Sequence, residues 1–429
     1  MLPLTVSIVL LQAVLGLAAL GKIVVPMLLN ERSEDGRHVV VIDDSMTLRL
    51  QKSSVLAERI VISGFDAVTT TPQVVKSQEL EKYLYDDPDH MASLMMRVGD
   101  QGLQLDGMLN PKFKISPLTV TARRRLDSGL LHKVELIESA SKISTKSNSQ
   151  CVHFLAICSF LVKRQANTLP TSVRPEVAVV SDLSHNTVFT LTELIGYIII
   201  LMNAVNLRYR SFRAPAVSFK VVGIYQMTQE EDVFYIGPPS GYVEGVATTR
   251  KFATQAPIGK YGNPDFFMIM TGRSLLISSG GSLRELDGYS YTGEICGLMK
   301  VAIAEDKVGT YRGVHIVAHE AAHLLGVVHD GDGPAANIPG HPGALRPECA
   351  WGEGYMMSYV DNGPRFSRFS PCVGEQIRVT LNNKTAVCIG ESFRYDYLTQ
   401  FPGRLPGSAF DGNLYCQLTY PLINGIFYP

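Results

Sequence analysis

Residues 314–330 read VHIVAHEAAHLLGVVHD, and the placement of their histidines decides how the rest of the chain is read. His319 and His323 are four residues apart, so a helix sets them one turn apart on one face, where they can grip a single ion. Val314, Val317, Ala318, Ala321, Leu324 and Leu325 give that helix an apolar surround. Gly326 can turn the chain sharply, because without a Cβ it accepts positive φ. The turn swings His329 back as a third ligand. Three imidazoles leave one coordination position open to water, the pattern of a catalytic rather than a structural zinc site. Glu320 lies beside the ligands and is placed to take a proton from that water. His315, one turn before His319, reads as a neighbour of the site or a surface residue rather than a ligand.

Working outward, Glu176–Val180 is a continuous apolar run and predicts a buried strand. Apolar residues at helical spacing predict a long helix over Thr192–Leu207, whose apolar centre, Ile198–Leu201, is short for a membrane span and reads as buried. Further strands are predicted at Val217–Ile224, Phe266–Met270, Tyr289–Ile295 and Lys300–Ile303. Strands and helices alternate, so the region reads as a mixed α/β domain. Residues 22–165 mix apolar and polar segments and carry no strong chemistry. Residues 4–20 are apolar and are followed by small residues, which predicts a cleaved signal peptide over residues 1–21 and a secreted, extracellular protein with no membrane association after cleavage.

The chain has 429 residues, 39 Lys and Arg against 40 Asp and Glu, and a net charge of -1. It therefore lacks the basic excess that binding to a phosphate backbone needs, and nucleic acid is excluded as a general partner. Seven cysteines are too few for a small disulfide scaffold but enough for two or three bridges in a secreted chain. Arg123-Arg124-Arg125 and Lys163-Arg164 are basic clusters that read either as processing sites or as charged turns. Asn383-Lys384-Thr385 is a glycosylation sequon.

The HExxHxxGxxHD pattern resembles the metzincin zinc endopeptidases, and Asp330 after the third histidine is similar to their reprolysin (adamalysin) branch. Gly354-Tyr355-Met356-Met357-Ser358-Tyr359 resembles the Met-turn of that family, with the register favouring Met357. Cys349-Ala350-Trp351-Gly352-Glu353-Gly354-Tyr355 looks most like secreted salivary reprolysins of ticks. The resemblance is strongest over residues 174–390. It implies a catalytic domain with a mixed twisted sheet, an active-site helix and a Met-turn over residues 166–392. A mixed prodomain over 22–165 precedes it, and the start of a shortened disintegrin-like or cysteine-rich region over 393–429 follows. It implies disulfides Cys296–Cys388 and Cys349–Cys372, where four cysteines alone allow three pairings. A calcium site at Glu176 and Asp265 is implied as well, with Glu391 where an amide is expected. Cys151, Cys158 and Cys416 have no assigned partner. Tyr359 reads in two ways: the reprolysin likeness favours a ring that lines the substrate pocket with its hydroxyl in solvent, and the alternative, as in the astacin and serralysin branches, is a phenol near the metal that donates to an oxyanion.

The resulting expectation is a secreted zinc endopeptidase, made as a zymogen, acting on extracellular proteins of the clotting or matrix kind. The alternatives are a non-catalytic binding protein on the same scaffold, disfavoured by the intact Glu320 and histidines, and an inert truncated product.

Overall fold

The structure, a computed structural model, describes residues 21–32, 36–63, 73–99, 102–118, 129–138, 170–238, 242–256, 258–279, 282–384 and Cys388. The signal-peptide core, both basic clusters, Cys151, Cys158, Thr385, Glu391 and the 393–429 region lie outside them.

Two sheets dominate. The first has nine antiparallel strands in the order Lys22–Val24, His132–Leu136, Phe113–Pro117, Gly102–Asn110, Ala92–Gly99, Leu84–Asp87, Met46–Lys52, His38–Asp43 and Met27–Arg32. Alternation explains it: in Met46–Lys52, Leu48 and Leu50 are buried while Thr47 and Arg49 face out, the period of a strand with one wet face. This corrects the expectation of a mixed N-terminal region. Among the described residues it is built of strands, with one single-turn helix at Ser77–Leu80.

The second sheet has seven strands in the order Gly288–Ser290, Val301–Glu305, Phe266–Thr271, Glu176–Ser181, Lys220–Gln226, Leu56–Ser63 and Gln73–Lys76. Its inner strands are parallel, and the two end strands run antiparallel. Glu176–Ser181, Phe266–Thr271 and Val301–Glu305 are buried along their whole length. That suits a parallel sheet covered on both faces. The long helix spans Leu191–Tyr209. It opens with a capping box in which Thr190 and Glu193 satisfy each other's backbone N–H, worth about 1 kcal/mol. By length and composition it could cross a membrane, yet 72% of its apolar window is buried inside the protein. It is a core helix, apolar nearly all round because it is covered nearly all round.

The predicted strand Tyr289–Ile295 is corrected to Gly288–Ser290. Gly293 takes φ +79° and turns the chain out of the sheet, and the N–H groups of Gly293 and Ile295 donate to the carbonyls of His323 and Leu324 at 2.8 and 3.0 Å. Those bonds add partners to the last carbonyls of the active-site helix.

Candidate metal centre and active site

The active-site helix runs Gly313–Leu324 and is buried along nearly its whole length. Its own N-cap, Arg312, makes no side-chain cap. The carboxylate of Asp306 takes that role: Oδ1 accepts the Gly313 N–H at 2.8 Å, while Oδ2 accepts the Tyr197 hydroxyl at 2.7 Å and lies 3.0 Å from His185 Nε2. An anionic group at a helix N-terminus also complements the helix dipole. At the other end the chain turns at Gly326, whose φ is +93°. A Cβ there would lie 1.9 Å from Thr380 Oγ1, so both backbone conformation and close packing require glycine. His341 Nε2 contacts the Gly326 carbonyl at 2.7 Å, and the Val328 N–H donates to Gln376 Oε1 at 2.9 Å.

The turn brings His329 back over the helix. Its Nε2 lies 3.3 Å from His319 Nε2 and 3.2 Å from His323 Nε2. His319 Nδ1 faces the Met356 carbonyl at 2.8 Å, and His323 Nδ1 faces the Val327 carbonyl at 2.7 Å. A carbonyl only accepts, so these Nδ1 atoms carry the protons and the Nε2 atoms present lone pairs to one another. Burial, reinforced by the neighbouring imidazoles, holds His319 well below the usual histidine range and pushes His323 down to about 3. Neutral imidazoles with converging lone pairs are the donor set of a transition-metal site. Nitrogens at about 2.05 Å from a tetrahedral zinc stand about 3.3 Å apart, which is the spacing found here. His315 is stacked on Phe366, with ring centroids 4.0 Å apart, and does not join the cluster.

Glu320 is 5% exposed, and burial pushes its carboxyl up to about 8. The Ser290 hydroxyl opposes that shift by donating to Oε2 at 2.7 Å. Gly288, on the same edge strand, lies so close that a Cβ would stand 2.6 Å from Glu320 Oε1. Neither Ser290 nor Gly288 stands out in the sequence, because their role arises only when the edge strand is laid along the helix.

Met356 and Met357 are both fully buried. The Met357 carbonyl accepts the Asp330 N–H at 3.0 Å, and Asp330 Oδ1 accepts the Ser370 hydroxyl at 2.6 Å. The ligand loop is thereby tied to the Met356–Tyr359 segment. Tyr359 departs from expectation. Its ring stacks on His319, and its hydroxyl is 3.2 Å from His329 Nε2 rather than in solvent. Burial, with the carboxylates of Glu320 and Asp287 adding to it, raises its phenol well above the usual range.

The structure joins Cys296 to Cys388 and Cys349 to Cys372. The first bridge sits beside Glu176 and Asp265. Asp265 Oδ2 accepts the Glu176 N–H at 2.8 Å. Burial raises Glu176 to about 7, with the Asp265 charge adding to it, and raises Asp265 to about 6. Asp265 also clusters with the sulfurs of Cys296 and Cys388, but a disulfide offers no thiolate, so any ion there relies on oxygen.

Residues 174–370 match the family model Reprolysin_5, described as Metallo-peptidase family M12. The chain is 27% identical over 273 residues to a protein of Bombyx mori named "A disintegrin and metalloproteinase with thrombospondin motifs like", covering 59% of this chain and 38% of that one. It is 24% identical over 369 residues to venom metalloproteinase antarease TserMP_A of Tityus serrulatus, covering 81% and 87%. Against venom metalloproteinase BumaMPs1 of Olivierus martensii it is 27% identical over 370 residues, covering 82% and 87%. The chain thus spans well under half of the silkworm relative and most of each scorpion relative. Residues 174–370 form a reprolysin-type metallopeptidase domain of family M12, whose activity is that of a metalloendopeptidase.

Proposed function

We propose that the protein is a secreted endopeptidase that holds one zinc ion on His319, His323 and His329, uses Glu320 as general base, and is made as a zymogen. The observation that carries the reading is the convergence of three Nε2 atoms, that of His329 lying 3.2–3.3 Å from the other two, beside a buried carboxylate. Zinc bound there supplies an acidified water and a polarised scissile carbonyl. Glu320 takes a proton at its carboxylate and returns it to the leaving amine nitrogen. Ser290 fixes one oxygen of that carboxylate, leaving the other to work. Among the described residues Gly288–Ser290 is an end strand of its sheet, so an extended substrate would add alongside it. Met357 serves as the apolar floor of the site. Extracellular proteins are the substrate class, in keeping with the venom relatives and with the resemblance of Cys349–Tyr359 to salivary enzymes. Cleavage of a fluorogenic peptide by the metal-loaded secreted protein, lost with a chelator and restored by zinc, tests the assignment. No turnover at full zinc occupancy would instead favour the binding-protein alternative.

Tyr359 belongs with the chemistry in this reading, as an O–H donor to the developing oxyanion. Tyr359→Phe is expected to lower kcat about 10²-fold with little change in KM. Wild-type kcat in that variant would return Tyr359 to the pocket wall.

We also propose calcium at Glu176 and Asp265. Without the ion, both carboxyls have folded pKa values raised above their unfolded ones. They favour the fold fully below about pH 4, and that contribution is lost as pH rises through 6 to 7. With calcium removed by a selective chelator and zinc retained, Tm is expected to fall by about 5 °C more between pH 5 and 8 than in Glu176→Gln/Asp265→Asn. Calcium should flatten the wild-type slope. Equal slopes in both proteins, or no response to calcium, would remove the site.

A further inference from the structure

The two regions share a sheet. Leu56–Ser63, from the N-terminal region, pairs in parallel with Lys220–Gln226 at the edge of the peptidase sheet remote from Glu320. Leu56 is opposite Val221, Val61 opposite Gly223 and Ile62 opposite Ile224, and the Val221 N–H donates to the Val55 carbonyl at 2.9 Å. Glu81 braces this strand's start by accepting the Val55 and Leu56 N–H groups at 3.1 and 3.0 Å. The core is shared too. Ile60, Ile62, Leu84, Met95 and Met108 lie in one apolar cluster with Ile198, Ile199 and Met202 of the long helix and Val317 and Ala321 of the active-site helix.

Buried polar contacts fix the register of this seam. Ser93 Oγ donates to the Ile200 carbonyl at 2.9 Å and accepts from Asn203 Nδ2 at 3.0 Å, and Ser53 Oγ donates to Asn203 Oδ1 at 2.7 Å. Lys114 reaches the Gly309 carbonyl at 2.9 Å, on the loop that leads into the active-site helix. Without residues 22–138, the peptidase would present an unpaired strand edge at Lys220–Gln226 and the apolar face of Leu191–Tyr209 to water. Both are surfaces that soluble proteins avoid exposing.

We propose that residues 22–138 are a permanent β-partner of the peptidase domain: the two stay together when the chain between residues 138 and 170 is cut. These contacts are non-covalent and none of them involves residues 139–169, so the cut breaks none of them. This goes beyond the zinc-peptidase reading and does not rest on turnover.

The test uses the full chain carrying Glu320→Gln, to prevent self-cleavage, and a site-specific protease sequence inserted between residues 139 and 169. The chain folds first and is cut afterwards. Both fragments are expected to co-elute on gel filtration at about 1 µM and to part only in denaturant. The amides of Lys220–Gln226 should stay protected from hydrogen exchange as in the uncut chain. Separation of the fragments with the peptidase portion soluble, or rapid exchange across 220–226 after cutting, would overturn the proposal. Because neither readout uses catalysis, an inactive protein could still pass and an active one could still fail.

Discussion

His323→Ala is expected to empty the metal site and take peptide cleavage down to background. Among the described residues its Nε2 is one of three converging donors, and its Nδ1 proton is committed to the Val327 carbonyl. Groups that merely orient a ligand are typically worth 10–100-fold in affinity, so loss of a ligand should exceed about 100-fold. His319→Ala and His329→Ala should behave alike. His315→Ala is the control: it loses a stack on Phe366 but should keep its metal. Metal content of the dialysed proteins decides the matter. A full complement in His323→Ala, or an empty site in His315→Ala, would refute the ligand set.

Glu320→Gln separates binding from chemistry. The amide keeps the size of the side chain and can still meet the Ser290 hydroxyl, so zinc content should match wild type. It cannot accept the proton, and turnover should drop by about 10²–10⁴-fold. The loss should fall on kcat. Full activity in this variant would mean that another group moves the proton, and Glu320 would be left as packing against Gly288.

The clustering of the three histidines was legible because they lie within eleven residues of each other in sequence and because helix geometry converts spacing into direction. His319, Glu320 and His323 need only a helix, and His329 needs only the turn at Gly326. The groups that tune these residues were not legible. Ser290 and Asp306 reach the helix across 30 and seven residues of chain, and no local pattern distinguishes them from other polar residues. The Tyr359 hydroxyl was misplaced for a related reason. Its ring position follows from the segment after Met357, but its direction depends on where His329 returns. Element boundaries in the peptidase sheet were nearly right, since long apolar runs mark buried parallel strands. The exception was Tyr289–Ile295, where apolar content outweighed the turn at Gly293. The crossing of Leu56–Ser63 into the second sheet left no trace in the sequence, because a strand's alternation says which face is buried and not which sheet it joins.

The Asp306 carboxylate holds the start of the active-site helix, and the packing of Gly326 against Thr380 holds its end. A helix fixed at both ends cannot fray, and fraying is the cheapest way for a protein to open locally. For this domain His319 and His323 are therefore expected to part only when the core opens, whereas His329, on the loop and partly exposed, can swing away alone. An ion held as proposed would then leave by way of the His329 loop with the fold intact, so its loss is reversible and separate from unfolding.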